Sequence, residues 1–291
     1  MASVASTSVS SPSSRSSERF GKIGAHAIVL ILCFLTVFPF AWMLSTAVKE
    51  ADQVFTQGWN LIPESLRWAN FSDAFSFFPV ANWLWNSLGI SALTTAGKIL
   101  ISVPAAYAFS RVEFTGRKFF FAFVLATMIV PGVVTTVPNY VMVSKLGWMD
   151  TWTGVILPSL PGTAFYVFLL RQNIMTLPQE LVDAGRVDGA STVRILIDLI
   201  VPNIKPTIAV ITILSFLGAW NQYLWPLLIL SDFESKTLAT GMPFFTANQE
   251  AAQMWGPMMA TATIAVLPPL VIYAIFQKQI INTFVNSGIK G

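Results

Sequence analysis

Lys98 is the residue of this 291-residue chain that asks most of its surroundings. It stands inside a long apolar run, roughly 13 Å from the run's end near Tyr107 at 1.5 Å of helix rise per residue. An ammonium at that depth snorkels toward the interface, pairs with a neighbour, or faces a polar pathway where an anionic solute would suit it. The preceding Gly97 does not make it a phosphate-binding P-loop. That pattern needs a glycine five positions before Gly97, and Ala92 is there. Covalent and metal chemistry have little to work with. There is one histidine, His26, one cysteine, Cys33, and no Gly-x-Ser-x-Gly. The chain is therefore not expected to be an enzyme or to hold a metal or cofactor. A second polar group interrupts another apolar run: Asn221 and Gln222, flanked by Trp220, Tyr223 and Trp225. Amides beside aromatic faces suit either a sugar-like ligand or hydrogen bonds between helices. Asn139, Asn86, Thr135 and Thr136 are weaker candidates of the same kind.

The elements that must position these residues are membrane helices. The sequence is 54% hydrophobic and 11% charged, whereas soluble domains carry about 25% charged residues. Six stretches have the roughly 20 apolar residues that a span needs: 24–46, 84–107, 119–142, 153–172, 205–230 and 258–278. Pro131, Pro138, Pro158 and Pro161 fall in the third and fourth. Such breaks point to a bundle with an internal pathway. All 14 Asp and Glu residues lie outside the six spans, which argues against a proton-coupled carrier with carboxylate relays. Cys33 is expected as a small buried hydrophobe, and His26 as an interfacial residue at the end of the first span.

Lysine and arginine set the orientation. With the N-terminus inside, Lys49, Arg67, Lys145 and Lys236 lie outside, Lys98 lies within a span, and the other twelve of the 17 are cytosolic. Both termini are then inside. The Ser-rich residues 1–22 are expected to form a formless cytosolic tail, with 23–291 as one six-helix transmembrane domain. Seven tryptophans collect on the outer side: Trp59, Trp68, Trp83, Trp85, Trp148, Trp152 and Trp255. They are expected as an interfacial belt, or as a platform for an outer partner docking on 47–83 and 231–257.

This orientation puts the polar stretch after span four in the cytosol. It runs from Leu177 to Pro206 and reads as two short helices about a Gly hinge. Gln179–Val187 is too short to be stable alone, so packing must hold it. Gly189 permits a turn. Asp188 is placed to cap the next helix, 190–200, Pro202 to end it, and Pro206 to open span five.

The order Asp183-Ala184-Gly185, then Gly189-Ala190, then Pro202 and Pro206, resembles the EAA loop of permease subunits in ATP-binding-cassette (ABC) importers. Six spans, the loop between spans four and five, and the C-terminus are similar to the maltose-type carbohydrate permeases (type I importers). Within them, 175–182 and 218–228 look most like the second permease of glycerol-3-phosphate importers. Asp183 stands where the family has Glu, and Gly185 where it has a second Ala.

The resemblance implies an all-α integral membrane protein of the bacterial cytoplasmic membrane, with six transmembrane helices and a coupling loop at 176–204. It implies half of a translocation pathway, in which Lys98, Asn139, Trp220, Asn221, Gln222 and Tyr223 are the candidate lining. It also implies that Glu180, Asp183, Ala184, Gly185, Asp188 and Gly189 couple to an ATPase. Lys290 and Gly291 match a tail that in some relatives reaches between the ATPases, and an ordinary frayed end fits them equally. The implied partners are a second homologous permease, an ATPase homodimer that carries the ATP and magnesium, an extracytoplasmic binding protein and membrane lipid, with no nucleic acid. The implied cargo is glycerol-3-phosphate or a related glycerophosphodiester. An oligosaccharide such as a maltose- or trehalose-like sugar, and a stand-alone carrier, are the other readings.

Overall fold

The computed structural model describes residues 12–56, 60–247 and 251–288. They are helical almost throughout. Helix α1 (Pro12–Ala47) is followed by the short α2 (Ala51–Thr56) and α3 (Ala69–Phe77), and then by α4 (Val80–Arg111), the central element. Residues 12–22 belong to α1, so this part of the expected formless tail is helix; residues 1–11 lie outside the described residues. Among the described residues, three helices are long and apolar enough to cross a membrane: Gly24–Ala47, Val80–Arg111 and Met254–Gln279. Three bent pairs bring the number to six if each counts as one span.

Two of the three bends fall at prolines, which remove a backbone donor, and the third falls at Ile204, between Pro202 and Pro206. α5 (Arg117–Ala126) ends in a 3-10 turn, and Pro131 then starts α6 (Gly132–Lys145) at 95° to it. The stretch expected as a third span with a proline break is thus two helices at a right angle. α7 (Trp152–Ser159) and α8 (Ala164–Met175) meet at 50° around Pro161. α9 (Gln179–Val187) leads to a composite segment: α10 (Thr192–Arg194), a π-helical turn (Ile195–Ile200) and α11 (Val201–Asn203). This segment meets α12 (Lys205–Trp220) at 82°. The expected fifth span is broken at 221–223, before α13 (Leu224–Ile229). α14 (Leu238–Gly241), a 3-10 turn (Met242–Thr246) and α15 (Ala251–Gly288) complete the order.

α4 packs most heavily on α8 and α12, while α1 rests on α15. Three apolar clusters hold the bundle. One, at the Arg111 end of α4, joins Val103, Ala106 and Tyr107 to Leu170, Ile174, Val182, Ile195 and Ile204. A second, at the Val80 end, packs Trp83 with Phe216, Trp220, Leu238 and Phe245. The third sets Ile90 against Val143, Val155, Trp225 and Ile229.

Several sequence expectations change here. Cys33 is exposed, because α1 lies at the rim of the bundle with its apolar faces outward. Trp83 is fully buried, and Trp148 and Trp152 pack against the third cluster. Only Trp68 and Trp85 are strongly exposed as a belt requires; Trp255 meets Phe55 edge-on at 6.1 Å, and Trp59 lies outside the described residues. At the Val80 end, Lys49 is buried and donates to the Asn60 carbonyl at 2.5 Å, and burial lowers its pKa. Arg67 is held charged by Asp73 at 2.8 Å and by Glu50 at 3.5 Å, the Asp73 hydrogen bond weighing most.

Candidate functional site

Two sites emerge at different levels of α4. The first is the α9 segment beyond the Arg111 end. α9 buries Val182 and Gly185 and leaves Glu180, Asp183, Ala184, Val187, Asp188 and Gly189 exposed. A Cβ on Gly185 would lie 2.8 Å from Leu199 Cδ1 and 3.2 Å from Ile195 Cγ1. Glycine here lets α9 lie close on the following segment. Gly189 has φ +74°, in the left-handed region that favours glycine. Its N–H bonds to the Arg186 carbonyl, and that of Ala190 to the Gly185 carbonyl at 2.9 Å, a Schellman closure. Asp188 therefore ends α9 and does not cap the next helix. Ser191 caps it, its hydroxyl accepting from the Arg194 N–H at 3.3 Å. Pro202 does not end that helix either. The chain widens to a π turn over Ile195–Ile200, just before the proline that cannot donate to the carbonyl four residues back, and continues to Asn203.

The Asp183 carboxylate is engaged only within its own helix. It accepts from Gln179 Nε2 at 3.1 Å and from Arg186 at 3.5 Å, on an exposed face where such pairs contribute little. Besides the packing of Val182 and Gly185, Arg111 ties the entry of α9 to the bundle. Its guanidinium, at the last residue of α4, donates to the carbonyls of Ile174 (2.7 Å) and Leu177 and to Gln179 Oε1. Sequence reasoning counted Arg111 only as a cytosolic charge. Its signal is an arginine closing a long helix, with a run of helix-end carbonyls expected opposite. Lys290 and Gly291 lie outside the described residues.

The second site is a cavity of about 1190 Å³ beside α4. Lys98 and Thr94 of α4, Thr135, Thr136 and Asn139 of α6, Ser159 of α7, and Gln222 and Trp225 line it together with apolar side chains. Of the six candidate pathway residues, Lys98, Asn139 and Gln222 are brought together. The other three are not. Trp220 is buried and stacks on Phe216, with ring centroids 5.7 Å apart, inside the second cluster. Asn221 is exposed and donates back to the Leu217 carbonyl at 3.0 Å, and Tyr223 is 45% exposed, away from the lining. The break at 221–223 turns consecutive residues in different directions, so one polar cluster in sequence becomes three environments. Asn86 also has a structural post. Its amide nitrogen bonds to the carbonyls of Glu234 and Lys236, and its oxygen accepts from Trp152 Nε1 at 3.0 Å. Thr94, missed in the sequence, is buried with its hydroxyl unpartnered. Its place one turn before Lys98 was the available signal.

Residues 98–284 match the family of binding-protein-dependent transport system inner membrane components. The chain is similar to the sn-glycerol-3-phosphate transport system permease protein UgpE of Pectobacterium atrosepticum, 34% identical over 271 residues, covering 91% of this chain and 96% of that one. The protein of the same name from Brucella melitensis is 31% identical over 269 residues, covering 90% and 95%. Among solved structures, a bacterial ABC transporter involved in the import of the acidic polysaccharide alginate has a chain of the same fold. Its TM-score is 0.80 at 24% identity, over 94% of this chain and 99% of that one. A bacterial alginate ABC transporter in complex with an alginate pentasaccharide-bound periplasmic protein gives 0.62 at 18%, over 90% and 94%. With the family match spanning most of its length and relatives above 30% identity over nine tenths of it, the chain belongs to the binding-protein-dependent transport system inner membrane components, the permease subunits of ABC importers.

Proposed function

We propose that this permease forms half of the pathway of an ATP-driven importer for sn-glycerol-3-phosphate or a related glycerophosphodiester. It works with a second homologous permease, an ATPase dimer holding ATP and magnesium, and an extracytoplasmic binding protein. In this reading residues 23–291 are the permease domain, six spans leave both termini on one side, and the lysine and arginine bias makes that side the cytosol. The observation that carries the reading is the form of α9: one face is packed under Leu199 and Ile195, and the opposite face presents Glu180, Asp183, Ala184 and Val187 outward. A short helix so held moves as a body when a partner grips it. Glu180, Asp183, Ala184, Asp188 and Gly189 form the grip for the ATPase, and Gly185 sets the close seating of α9. ATPase closure draws α9 inward and biases the bundle between inward and outward states, as differential binding to two states requires.

The names of the relatives support the cargo. An acidic or neutral oligosaccharide is the second reading, supported by the cavity's Gln222 and Trp225 and by the fold shared with the alginate transporter. Substituting Gly189→Asp in the assembled complex tests the coupling role. Open space surrounds Gly189, so the new carboxylate meets no clash; the strain of its φ of +74° is shared by Gly189→Asn, which serves as the control. Loss of ATPase assembly or of ATP-driven uptake is expected, and normal uptake would reject the assignment. Uptake by this chain alone in liposomes, without nucleotide, would instead establish a stand-alone carrier.

A further inference from the structure

We infer that Lys98 and Thr94 form an anion-binding subsite in the cavity beside α4, which holds the phosphate or carboxylate of the cargo during its passage. The inference rests on the importer reading above. Three observations carry it. Lys98 is the one charged residue among those lining the cavity, and no aspartate or glutamate lines it. Among the described residues its ammonium has no ion pair and no hydrogen bond; its recorded contact is the Tyr166 ring, 5.8 Å from the centroid. Thr94, four residues earlier on the same helix face, is 2% exposed, lines the same cavity and has a hydroxyl with no partner. A charge within a bundle is usually paired, and a buried hydroxyl is usually satisfied. Here two donors of adjacent turns stand beside one cavity, and an oxyanion accepts from the ammonium and, once the enclosed Thr94 side chain turns toward it, from the hydroxyl. Asn139 and Gln222, on the same lining, are placed for the neutral hydroxyls of a polyol or sugar. The subsite therefore selects an anionic head on a hydroxyl-bearing body. A phosphate monoester and a uronate share that chemistry.

The test uses the complete complex, with its binding protein and ATPases, in proteoliposomes. Three labelled probes are compared: sn-glycerol-3-phosphate, a uronate oligosaccharide and maltose. Lys98→Met is expected to lower uptake of an anionic probe roughly tenfold or more, the size of a lost charged hydrogen bond. Lys98→Arg should retain most of it. Thr94→Val, which removes an unsatisfied hydroxyl at nearly constant volume and leaves the fold intact, should lower uptake severalfold. Loss confined to sn-glycerol-3-phosphate supports the subsite and the phosphate cargo together. Uptake of the uronate but not the phosphate, lost in Lys98→Met, supports the subsite and rejects the phosphate cargo. Anionic uptake unchanged in both Lys98→Met and Thr94→Val, or maltose as the transported probe with these variants unaffected, overturns the subsite and leaves the importer reading standing. If Lys98→Met fails to assemble, Thr94→Val alone decides.

Discussion

Removing the Arg111 guanidinium should uncouple ATP hydrolysis from transport while leaving both half-reactions partly alive. Arg111 donates to the Ile174 and Leu177 carbonyls and to Gln179, and so ties the last turn of α4 to the entry of α9. Hydrogen bonds to charged groups contribute roughly 1.5–3 kcal/mol each when buried. The Gln179 bond is exposed and counts for less. Water replaces part of the two carbonyl bonds in Arg111→Ala, so about 2 kcal/mol of the tie is lost, roughly a thirtyfold change in the equilibrium between seated and loosened α9. Val182 and Ile174 remain packed with Tyr107 in the shared apolar cluster, which keeps the segment folded. The assay is cargo taken up per ATP hydrolysed by the complete complex in proteoliposomes. The ratio should fall severalfold in Arg111→Ala. Arg111→Lys should recover only part of it, since one ammonium cannot reproduce a planar fork across three acceptors. Arg117 offers a control at the same end of the bundle. It donates to the nearby Val112 carbonyl at 3.1 Å and links no distant elements, so Arg117→Ala should leave the ratio unchanged. An Arg111→Ala complex with the wild-type ratio would refute the tie.

Other substitutions test the seating of α9 and the opposite end of α4. Gly185→Val pushes two methyl groups toward Leu199 and Ile195; overpacking of this kind costs about 1–3 kcal/mol, visible as a lowered melting temperature of the solubilised complex. At Gly189 the penalty is conformational, not steric, because φ is +74° in open space. Gly189→Asn should therefore keep more uptake than Gly189→Val, and equal loss in both would remove the backbone argument. Ser191→Ala deletes the cap on the Arg194 N–H and should destabilise the segment by about 1 kcal/mol, read as faster amide exchange at 192–194. Asn86→Leu strands the carbonyls of Glu234 and Lys236 and the Trp152 indole N–H. Protease cleavage within 231–247 should rise while α9 remains protected.

The sequence was most legible where one physical signal dominates. Long apolar runs located α1, α4 and α15, and prolines located the breaks at Pro131 and Pro161. Hydropathy says nothing about the angle at a break, so the sequence marked Pro131 as a break within one span and not as the right angle found there. The Gly189 turn was legible because glycine has a specific conformational role. The cap was misassigned by three residues because Asp188 and Ser191 are both good N-cap types, and only the Schellman closure of α9 decides between them. The cluster 220–223 misled for a different reason. Adjacency in sequence places residues together only while the helix continues, and it ends at Trp220. Thr94 and Arg111 were passed over because a single hydroxyl or a terminal arginine carries no pattern until its neighbours in space are known.

Three residues change how α4 is understood. Asn86, Lys98 and Arg111 lie on one continuous helix, the first and last separated by 25 residues, roughly 38 Å at 1.5 Å per residue. At one level the helix fastens the 234–236 segment, at the next it lines the cavity, and at the last it holds the carbonyls that lead into α9. A helix fixed at those three levels passes a shift at one to the others unless it bends between them. Pro104, inside α4 between Lys98 and Arg111, is the one place along it where a backbone hydrogen bond is missing by covalent structure. It is therefore where α4 bends most cheaply, and Pro104→Ala, by stiffening that point, should alter the uptake ratio measured for Arg111 without touching the cavity or α9. An unchanged ratio would mean that α4 moves as a single piece through the cycle.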